Sequence, residues 1–211
     1  SVRMIRAVKY AVSTGCVISG KGGKTIRKQA QLLQPVSPSR LTEEILKILH
    51  SGRACETVAM LLRYDLYMYL QPAACSLIDG SDSFSEAYRK SLAELDALCN
   101  SKEEVRLGNK LIYLICDLIR LITDWNGHPV EVYNTVYREC RRFIMPMNPP
   151  RIELEFAVRQ CLRDGGLAIR PVKSRSKRNS SGQDKKEAPA EGASAPRRKR
   201  RRRKTSTAAS N

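Results

Sequence analysis

The chain has 211 residues, of which 42% are hydrophobic and 6% aromatic, so it can supply an aliphatic core for one or two small domains. Its formal net charge of +17 predicts a polyanionic partner, nucleic acid first and an anionic membrane surface second. The longest apolar stretch, Leu111 to Ile122, is interrupted by Asp117 and Arg120 and is too short to span a bilayer. Seven cysteines without a C-x-x-C motif predict free thiols in a reducing compartment, and we expect a cytoplasmic protein.

The first dozen residues predict an amphipathic helix that has no start signal at Ser1. Met4, Ile5, Val8 and the pair Ala11/Val12 recur at helical spacing, and neither a cap nor a turn residue precedes them. We therefore expect a further segment of protein before Ser1.

The next segment, Gly15 to Lys24, is predicted to be a flexible basic connector. Its Gly-Lys-Gly-Gly-Lys-Thr run at 20–25 only partly matches a phosphate-binding loop, which needs G-x-x-x-x-G-K-[S/T] between a strand and a helix. Gly22 stands where one register requires Ser or Thr, and Ile18 stands where the other register requires Gly. Because the run also follows a helix and not a strand, a nucleotide-binding loop is not predicted.

The later elements have helical periodicity, so we predict an all-α fold. The most hydrophobic element is predicted to be the central buried helix, and the helix opened by Pro129 has Val132, Val136, Cys140 and Phe143 inward. The predicted helices are Thr25 to Leu33, Arg40 to His50, Arg53 to Arg63, Phe84 to Leu98, the central Glu103 to Thr123, Pro129 to about Met145, and Arg151 to Arg163, with a loop at Gly80 to Phe84.

Residues 171–211 are predicted to be a disordered basic tail. They contain 14 Lys/Arg and 3 Asp/Glu and no aromatic residue, whereas residues 1–170 contain 24 and 18. A flexible run of cations can follow a phosphate backbone without a defined groove. The run consists of Arg197, Arg198, Lys199, Arg200, Arg201, Arg202, Arg203 and Lys204.

No catalytic centre is predicted within the chain. The two histidines have no ligand-spaced partners, so no metal site is expected. Nucleotidyl transfer needs two metal-bound carboxylates, typically Asp-x-Asp, and the sequence lacks this motif. Glu94 and Asp96, like Glu153 and Glu155, have the spacing, but residues i and i+2 of a helix diverge by roughly 200° and cannot clamp one ion.

Three segments resemble the bacterial poly(A) polymerase and CCA-adding tRNA nucleotidyltransferase family. The opening Ser-Val-Arg-Met-Ile-Arg-Ala-Val-Lys-Tyr is similar to the family's neck helix, which reads roughly Glu-Asp-Pro-Val-Arg-Met-Leu-Arg-Ala-Val-Arg-Phe. The run Pro-Ser-Arg-Leu-Thr-Glu-Glu-Ile-Leu-Lys-Ile-Leu at 38–49 is similar to Pro-Pro-Ala-Arg-Leu-Phe-Glu-Glu-x-x-Lys-Leu-Leu, and its Arg-Leu-x-Glu-Glu form is closer to the poly(A) polymerases. Residues 141–146 followed by Arg151 also resemble the poly(A) polymerase body.

The resemblance implies the RNA-binding part of an enzyme that adds AMP to RNA 3′ ends without a template. CCA addition to tRNA is an alternative, and a stand-alone helical RNA-binding module is another. Residues 1–64 would be the nucleotide-reading, RNA-binding neck and residues 65–170 the RNA-binding body. ATP and Mg²⁺ would belong to a catalytic head before Ser1, so this chain is expected to hold no cofactor and to be inactive alone.

The resemblance also implies roles for particular residues. Arg3 aligns with the arginine of the family's Glu-Asp-x-x-Arg motif, which reads the base of the incoming nucleotide, and a guanidinium offers a fixed fork of donors for that task. Arg6, Arg40, Glu43 and Glu44 are predicted to brace the neck, with Arg40 at i,i+3 and i,i+4 spacing from the two glutamates. Besides the cations of the tail, the predicted RNA-binding residues are Arg138, Arg141, Arg142 and Arg151.

Overall fold

A computed structural model describes residues 1–101 and 104–167, which form ten α-helices and one 3₁₀ turn without a β-strand. This confirms the predicted all-α class. The helices are α1 (Val2–Thr14), α2 (Gly20–Gln29), α3 (Pro38–Leu49), α4 (Ala54–Arg63), α5 (Tyr67–Leu70), α6 (Pro72–Gly80), α7 (Asp82–Asn100), α8 (Leu107–Ile122), α9 (Pro129–Phe143) and α10 (Arg151–Asp164), with the 3₁₀ turn at Ala30–Leu33. The predicted tail, residues 171–211, lies outside the described residues, and the division between residues 64 and 65 stays a prediction.

Helix α1 buries the face that its sequence predicts. Ile5, Val8, Ala11 and Val12 are buried, and the helix packs against α3 and α4. Each fully buried aliphatic side chain contributes roughly 1.5–3 kcal/mol relative to an exposed one, so this face anchors α1 to the rest of the fold. Gly15 ends the helix in the left-handed conformation, with φ at 71°.

The predicted connector is wrong in its second half, because α2 begins at Gly20. The Ser19 hydroxyl accepts a hydrogen bond from the Gly22 backbone N–H at 3.1 Å, which satisfies one of the free donors at the helix start. Gly23 then lies close against Tyr64, where an added Cβ would come within 2.8 Å of the ring. The capping serine and this close approach make a helix of a glycine-rich run that propensity alone would leave as coil.

The stretch between α4 and α7 contains two helices that the sequence analysis did not predict, α5 and α6. Pro72 occupies the first position of α6, where its missing N–H costs nothing. The loop predicted at Gly80 to Phe84 is also wrong, because α7 begins at Asp82. Ser81 caps it by accepting a hydrogen bond from the Phe84 backbone N–H at 3.2 Å.

Helix α8 is the central helix, as predicted, and it lies between α7 and α10. Leu111, Leu114, Ile115 and Ile119 are among its buried side chains. The helix begins at Leu107, whereas the predicted start at Glu103 lies outside the described residues. Among the helices of residues 1–101 and 104–167, none combines the length and the apolar character that crossing a bilayer requires.

Carboxylates from distant helices cap α4 and α8. Asp96 of α7 accepts hydrogen bonds from the backbone N–H groups of Ala54, at 2.5 Å, and Cys55, at 2.8 Å. Glu153 of α10 accepts from the Gly108 N–H at 2.7 Å and also binds Arg106. A negative charge at a helix start satisfies free donors and complements the helix dipole, so these two contacts hold α4 against α7 and α8 against α10.

The seven cysteines are free thiols, as predicted. Cys16 is exposed in the loop between α1 and α2, and Cys55 and Cys99 are half-buried. The four buried cysteines are Cys75, Cys116, Cys140 and Cys161. Their packing is that of small hydrophobic residues in a helical core.

Candidate nucleic-acid interface

An open groove separates the end of α9 from the start of α10, where the chain crosses over in a proline-rich loop. It is lined by Tyr137, Arg141, Asn148, Pro149, Pro150 and Arg151. The groove brings together two of the four predicted RNA-binding arginines of the body, Arg141 and Arg151. Arg138 and Arg142 are exposed on α9 but do not line this groove, and Arg142 Nη1 binds Glu139 Oε1 at 2.9 Å.

Hydrogen bonds hold the polar side chains of the groove. Arg141 Nη2 donates to Asn148 Oδ1 at 3.2 Å, and the Asn148 backbone N–H donates to the Thr42 hydroxyl at 3.2 Å. Arg151 Nε donates to Glu155 Oε1 at 2.6 Å. The loop is thereby tied to α3, and Arg141 also lines a neighbouring apolar groove with Pro38 and Pro72, which open α3 and α6.

Tyr137, which lines the groove, stacks on Tyr133, and the sequence analysis singled out neither tyrosine. The rings of Tyr133 and Tyr137 have centroids 6.0 Å apart and an angle of 25° between their planes. The guanidinium of Arg159, a residue of α10, lies 5.0 Å from the centroid of the Tyr133 ring. Burial raises the pKa of Tyr133, and the charge of Arg159 partly offsets this. The spacing of Tyr133, Tyr137 and Arg141 at four residues each was the available signal, because it puts them on one helix face.

Helix α2 forms a second basic surface, and its first half is the end of the predicted connector while its second half belongs to the predicted helix Thr25 to Leu33. Lys21, Lys24 and Lys28 are exposed at helical spacing, and none of them makes an ion pair with another described residue. Arg27 Nε binds Asp65 Oδ2 at 2.9 Å, and its Nη2 donates to the Arg63 carbonyl. Once α2 is known to be a helix, its lysines are identifiable from the sequence as one stripe.

The residues predicted to brace the neck form an ion pair between α1 and α3, and not the expected pairs of Arg40 with Glu43 and Glu44 within α3. Arg6 Nε on α1 donates to Glu44 Oε1 on α3 at 2.8 Å, and Lys47 Nζ lies 3.3 Å from the same oxygen. Glu43 pairs with Lys47 at 3.9 Å. Arg40 is exposed and pairs with neither glutamate. Glu44 lies on the buried face of α3 where α1 packs, and the exposed Glu43 pairs with Lys47 instead.

Glu44 is the buried carboxylate of this cluster, with 1% of its side chain exposed. Burial alone would raise its pKa, but the hydrogen bonds and charges of Arg6 and Lys47 outweigh burial and lower the pKa below its ordinary value. Glu44 therefore stays ionised at neutral pH. Arg3, the predicted base-reading residue, is exposed on α1, one turn before Arg6.

The described residues do not fit a catalytic magnesium ion. Among residues 1–101 and 104–167, no three His, Cys, Asp or Glu side chains are grouped so that they could hold a metal. Asp96 and Glu153 cap helices, and Glu155 binds Arg151 and Arg159. The tail cations predicted to bind RNA, 197–204, lie outside the part of the chain that the structure describes.

Comparisons with known proteins match a part of the chain. Residues 23–78 match a family model described as "Probable RNA and SrmB-binding site of polymerase A". This range contains most of α2 and all of α3 to α5, including Thr42, which holds the groove loop. No solved structure matches the chain.

The similar proteins are bacterial enzymes with the name poly(A) polymerase I. The chain is 42% identical over 71 residues to the one from Escherichia coli O6:H1, a match that covers 34% of this chain and 15% of that protein. It is 33% identical over 86 residues to the one from Haemophilus influenzae, which covers 40% of this chain and 19% of that protein. This chain thus spans less than a fifth of the length of either relative. A part of this chain is therefore similar to bacterial poly(A) polymerases, and residues 23–78 match the model of their probable RNA-binding site.

Proposed function

We propose that this chain holds the 3′ ends of RNA for a template-independent nucleotidyltransferase that adds AMP to them. The observation that supports this most directly is the contact between the arginine groove and the family's RNA-binding segment. Arg141 lines a groove together with Pro38 and Pro72, and the Asn148 backbone N–H binds the Thr42 hydroxyl. Pro38, Thr42 and Pro72 belong to the matched segment, residues 23–78.

The two basic surfaces have the chemistry that RNA binding needs. Lysines and arginines that neutralise phosphates release counterions, and this release supplies much of the affinity for nucleic acid. Within residues 1–101 and 104–167, the α2 lysines have no ionic partner and Arg141 has Asn148 as its one side-chain partner. Their charges are therefore available to phosphate groups.

In this proposal ATP and Mg²⁺ are bound by a catalytic head domain that supplies the carboxylates missing here. The exposed Arg3 would contribute to reading the base of ATP, since a guanidinium can donate two hydrogen bonds to acceptors on a base edge. The relatives found carry the name poly(A) polymerase I, which favours AMP addition over CCA addition.

RNA binding is tested by fluorescence anisotropy of the full chain with single-stranded RNA at several salt concentrations. The double variant Arg141→Gln and Arg151→Gln removes two charges from the groove. We expect weaker binding and a slope of log K against log salt that is shallower by about 1.4, at roughly 0.7 for each lost phosphate contact.

The matched control is Arg89→Gln with Lys90→Gln, two exposed cations on α7. It should leave both affinity and slope close to those of the wild type. A chain that binds no RNA, or an equal loss in the two double variants, would overturn the proposed surface. Comparing linear with circular RNA of one sequence tests the preference for 3′ ends, because only the linear RNA has one.

A further inference from the structure

The groove between α9 and α10 combines an aromatic ring with cations and an amide in a way that phosphate binding alone does not require. We propose that it is a subsite for one unpaired nucleotide of RNA, with the base stacked on Tyr137 and the adjoining phosphate held by Arg141 and Arg151. This rests on the proposed function and adds to it a contact with the base.

The first argument is that Tyr137 is already held in place. Its ring packs on Tyr133, whose own ring lies under the Arg159 guanidinium, and Arg159 Nη1 is 3.7 Å from Glu155 Oε2. Stacking on a ring that is fixed before binding costs little conformational entropy. Each base has an aromatic face, so such a platform accepts any unpaired base.

The second argument concerns the donors around the ring. Asn148 Oδ1 accepts from Arg141, and the Asn148 amide N–H₂ has no hydrogen-bond acceptor among the described residues. Arg151 uses its Nε for Glu155, and its terminal nitrogens make no other hydrogen bond to a described residue. The groove therefore offers donors to phosphate oxygens and to acceptors on a base edge.

The third argument is the shape of the loop that closes the groove. Pro149 and Pro150 line it and have restricted backbone angles, and the Asn148 N–H is anchored to Thr42. A base stacked inside a duplex cannot present its face to a tyrosine, so this arrangement selects single-stranded RNA.

The test compares a short single-stranded RNA with an abasic oligonucleotide of equal length and charge. The full chain is used at raised salt, where the phosphate contribution of its other cations is reduced. Tyr137→Leu should lower the affinity for the base-bearing RNA by roughly 5- to 150-fold, the equivalent of about 1–3 kcal/mol for one stacked base. Its affinity for the abasic oligonucleotide should stay within about twofold of the wild type, a change below roughly 0.4 kcal/mol.

Two control variants accompany Tyr137→Leu. Tyr137→Phe keeps the aromatic face and should bind both ligands like the wild type. Tyr113→Leu replaces a half-buried tyrosine on α8 that lies outside this groove, and it should change neither affinity. If Tyr137→Leu lowers the melting temperature, Tyr137→Gln provides a second side chain without an aromatic face.

A second readout is the fluorescence of 2-aminopurine placed in the RNA. Stacking on Tyr137 should quench it on binding in the wild type and in Tyr137→Phe, but not in Tyr137→Leu. Equal effects of Tyr137→Leu on base-bearing and abasic ligands, or no effect on either, would overturn the base subsite while leaving RNA binding intact. A wild-type chain that binds neither ligand would overturn the proposed function as well.

Discussion

At the scale of single residues, the buried carboxylate Glu44 joins α1 to α3. Its partners Arg6 and Lys47 are about half exposed, with 55% and 48% of their side chains accessible. Water screens their charges, so their attraction to the Glu44 carboxylate is weaker than the attraction between two fully buried charges. The contact still orients α1, the helix that carries Arg3.

Glu44→Gln tests this contact through its pH dependence. The folded-state pKa of Glu44 is below its ordinary value of 4.5, so the ionised form is favoured by folding. The wild type should exceed the variant by roughly 1–2 kcal/mol in unfolding free energy above pH 4.5. That advantage should disappear as the pH falls from 4.5 through the lowered pKa.

Chemical denaturation at several pH values measures the difference. Glu43→Gln is the matched control, because Glu43 is 65% exposed and its nearest cation is 3.9 Å away. A pH-independent difference for Glu44→Gln, or the same difference for Glu43→Gln, would contradict an ionised, paired Glu44.

Arg3 is the residue on which the proposed nucleotide reading depends. In the complete enzyme, Arg3→Ala should reduce kcat/KM for ATP by roughly 10- to 150-fold, because hydrogen bonds from a charged donor are worth about 1.5–3 kcal/mol. Steady-state kinetics measure this, with Arg89→Ala on α7 as the control. Unchanged kcat/KM, or a loss that follows a lower melting temperature, would make Arg3 an ordinary surface residue.

At the scale of helices, the same device occurs twice: a carboxylate of one long helix caps the start of another. Asp96 of α7 receives two N–H groups of α4, whose own N-cap residue, Arg53, makes no side-chain cap. Asp96→Ala leaves these donors without an acceptor and should cost about 1–2 kcal/mol.

Thermal unfolding measures this cost, and amide hydrogen exchange locates it. Exchange at Ala54 and Cys55 should accelerate in Asp96→Ala more than exchange in the middle of α8. Glu94→Ala on the exposed side of α7 is the control and should change neither. An unchanged exchange rate at Ala54 would mean that the cap contributes little.

These caps also mark how far the sequence can be interpreted. The apolar faces of α1 and α9 were predictable because their periodicity is local, and Ile5, Val8, Val132 and Val136 are buried as predicted. The pairings of Asp96 and Glu153 join residues more than forty positions apart, which no local pattern encodes. In the sequence, the pairs Glu94/Asp96 and Glu153/Glu155 only show the spacing of the metal-binding Asp-x-Asp motif.

The candidate interface shows the same limit. Arg141 and Arg151 were predicted, but their meeting at one groove depends on how the proline loop turns. Lys21 and Lys24 of α2 were assigned to a connector, because the serine that caps α2 is separated from its first apolar residue by six polar or glycine positions. Glycine propensity therefore dominated the prediction for this segment.

At the scale of the whole molecule, positive charge is concentrated at one end of the sequence. Residues 171–211 carry a net charge of +11 and residues 1–170 a net charge of +6. Deleting residues 196–204 removes eight consecutive cations and should weaken single-stranded RNA binding at low salt far more than at high salt.

The measurement is the slope of log K against log salt for the full chain and for the deletion. If the cations engage about five phosphates, the deletion should reduce the slope by roughly 3.5. Base identity should not alter this difference, since phosphate contacts carry no sequence information. Identical slopes would assign RNA binding to the helices alone.

The uneven exposure of the thiols makes the chain suitable for attaching a single reporter dye. Cys16 is exposed, whereas burial raises the pKa of the six remaining cysteines, to about 12 for Cys75 and Cys140. Few of these six are thiolates at neutral pH. A maleimide should therefore modify the exposed Cys16 first, and peptide mapping by mass spectrometry would verify a single adduct there. The dye would be attached three residues before Ser19, the cap of α2, where a change in its fluorescence reports the arrival of RNA without any engineered cysteine.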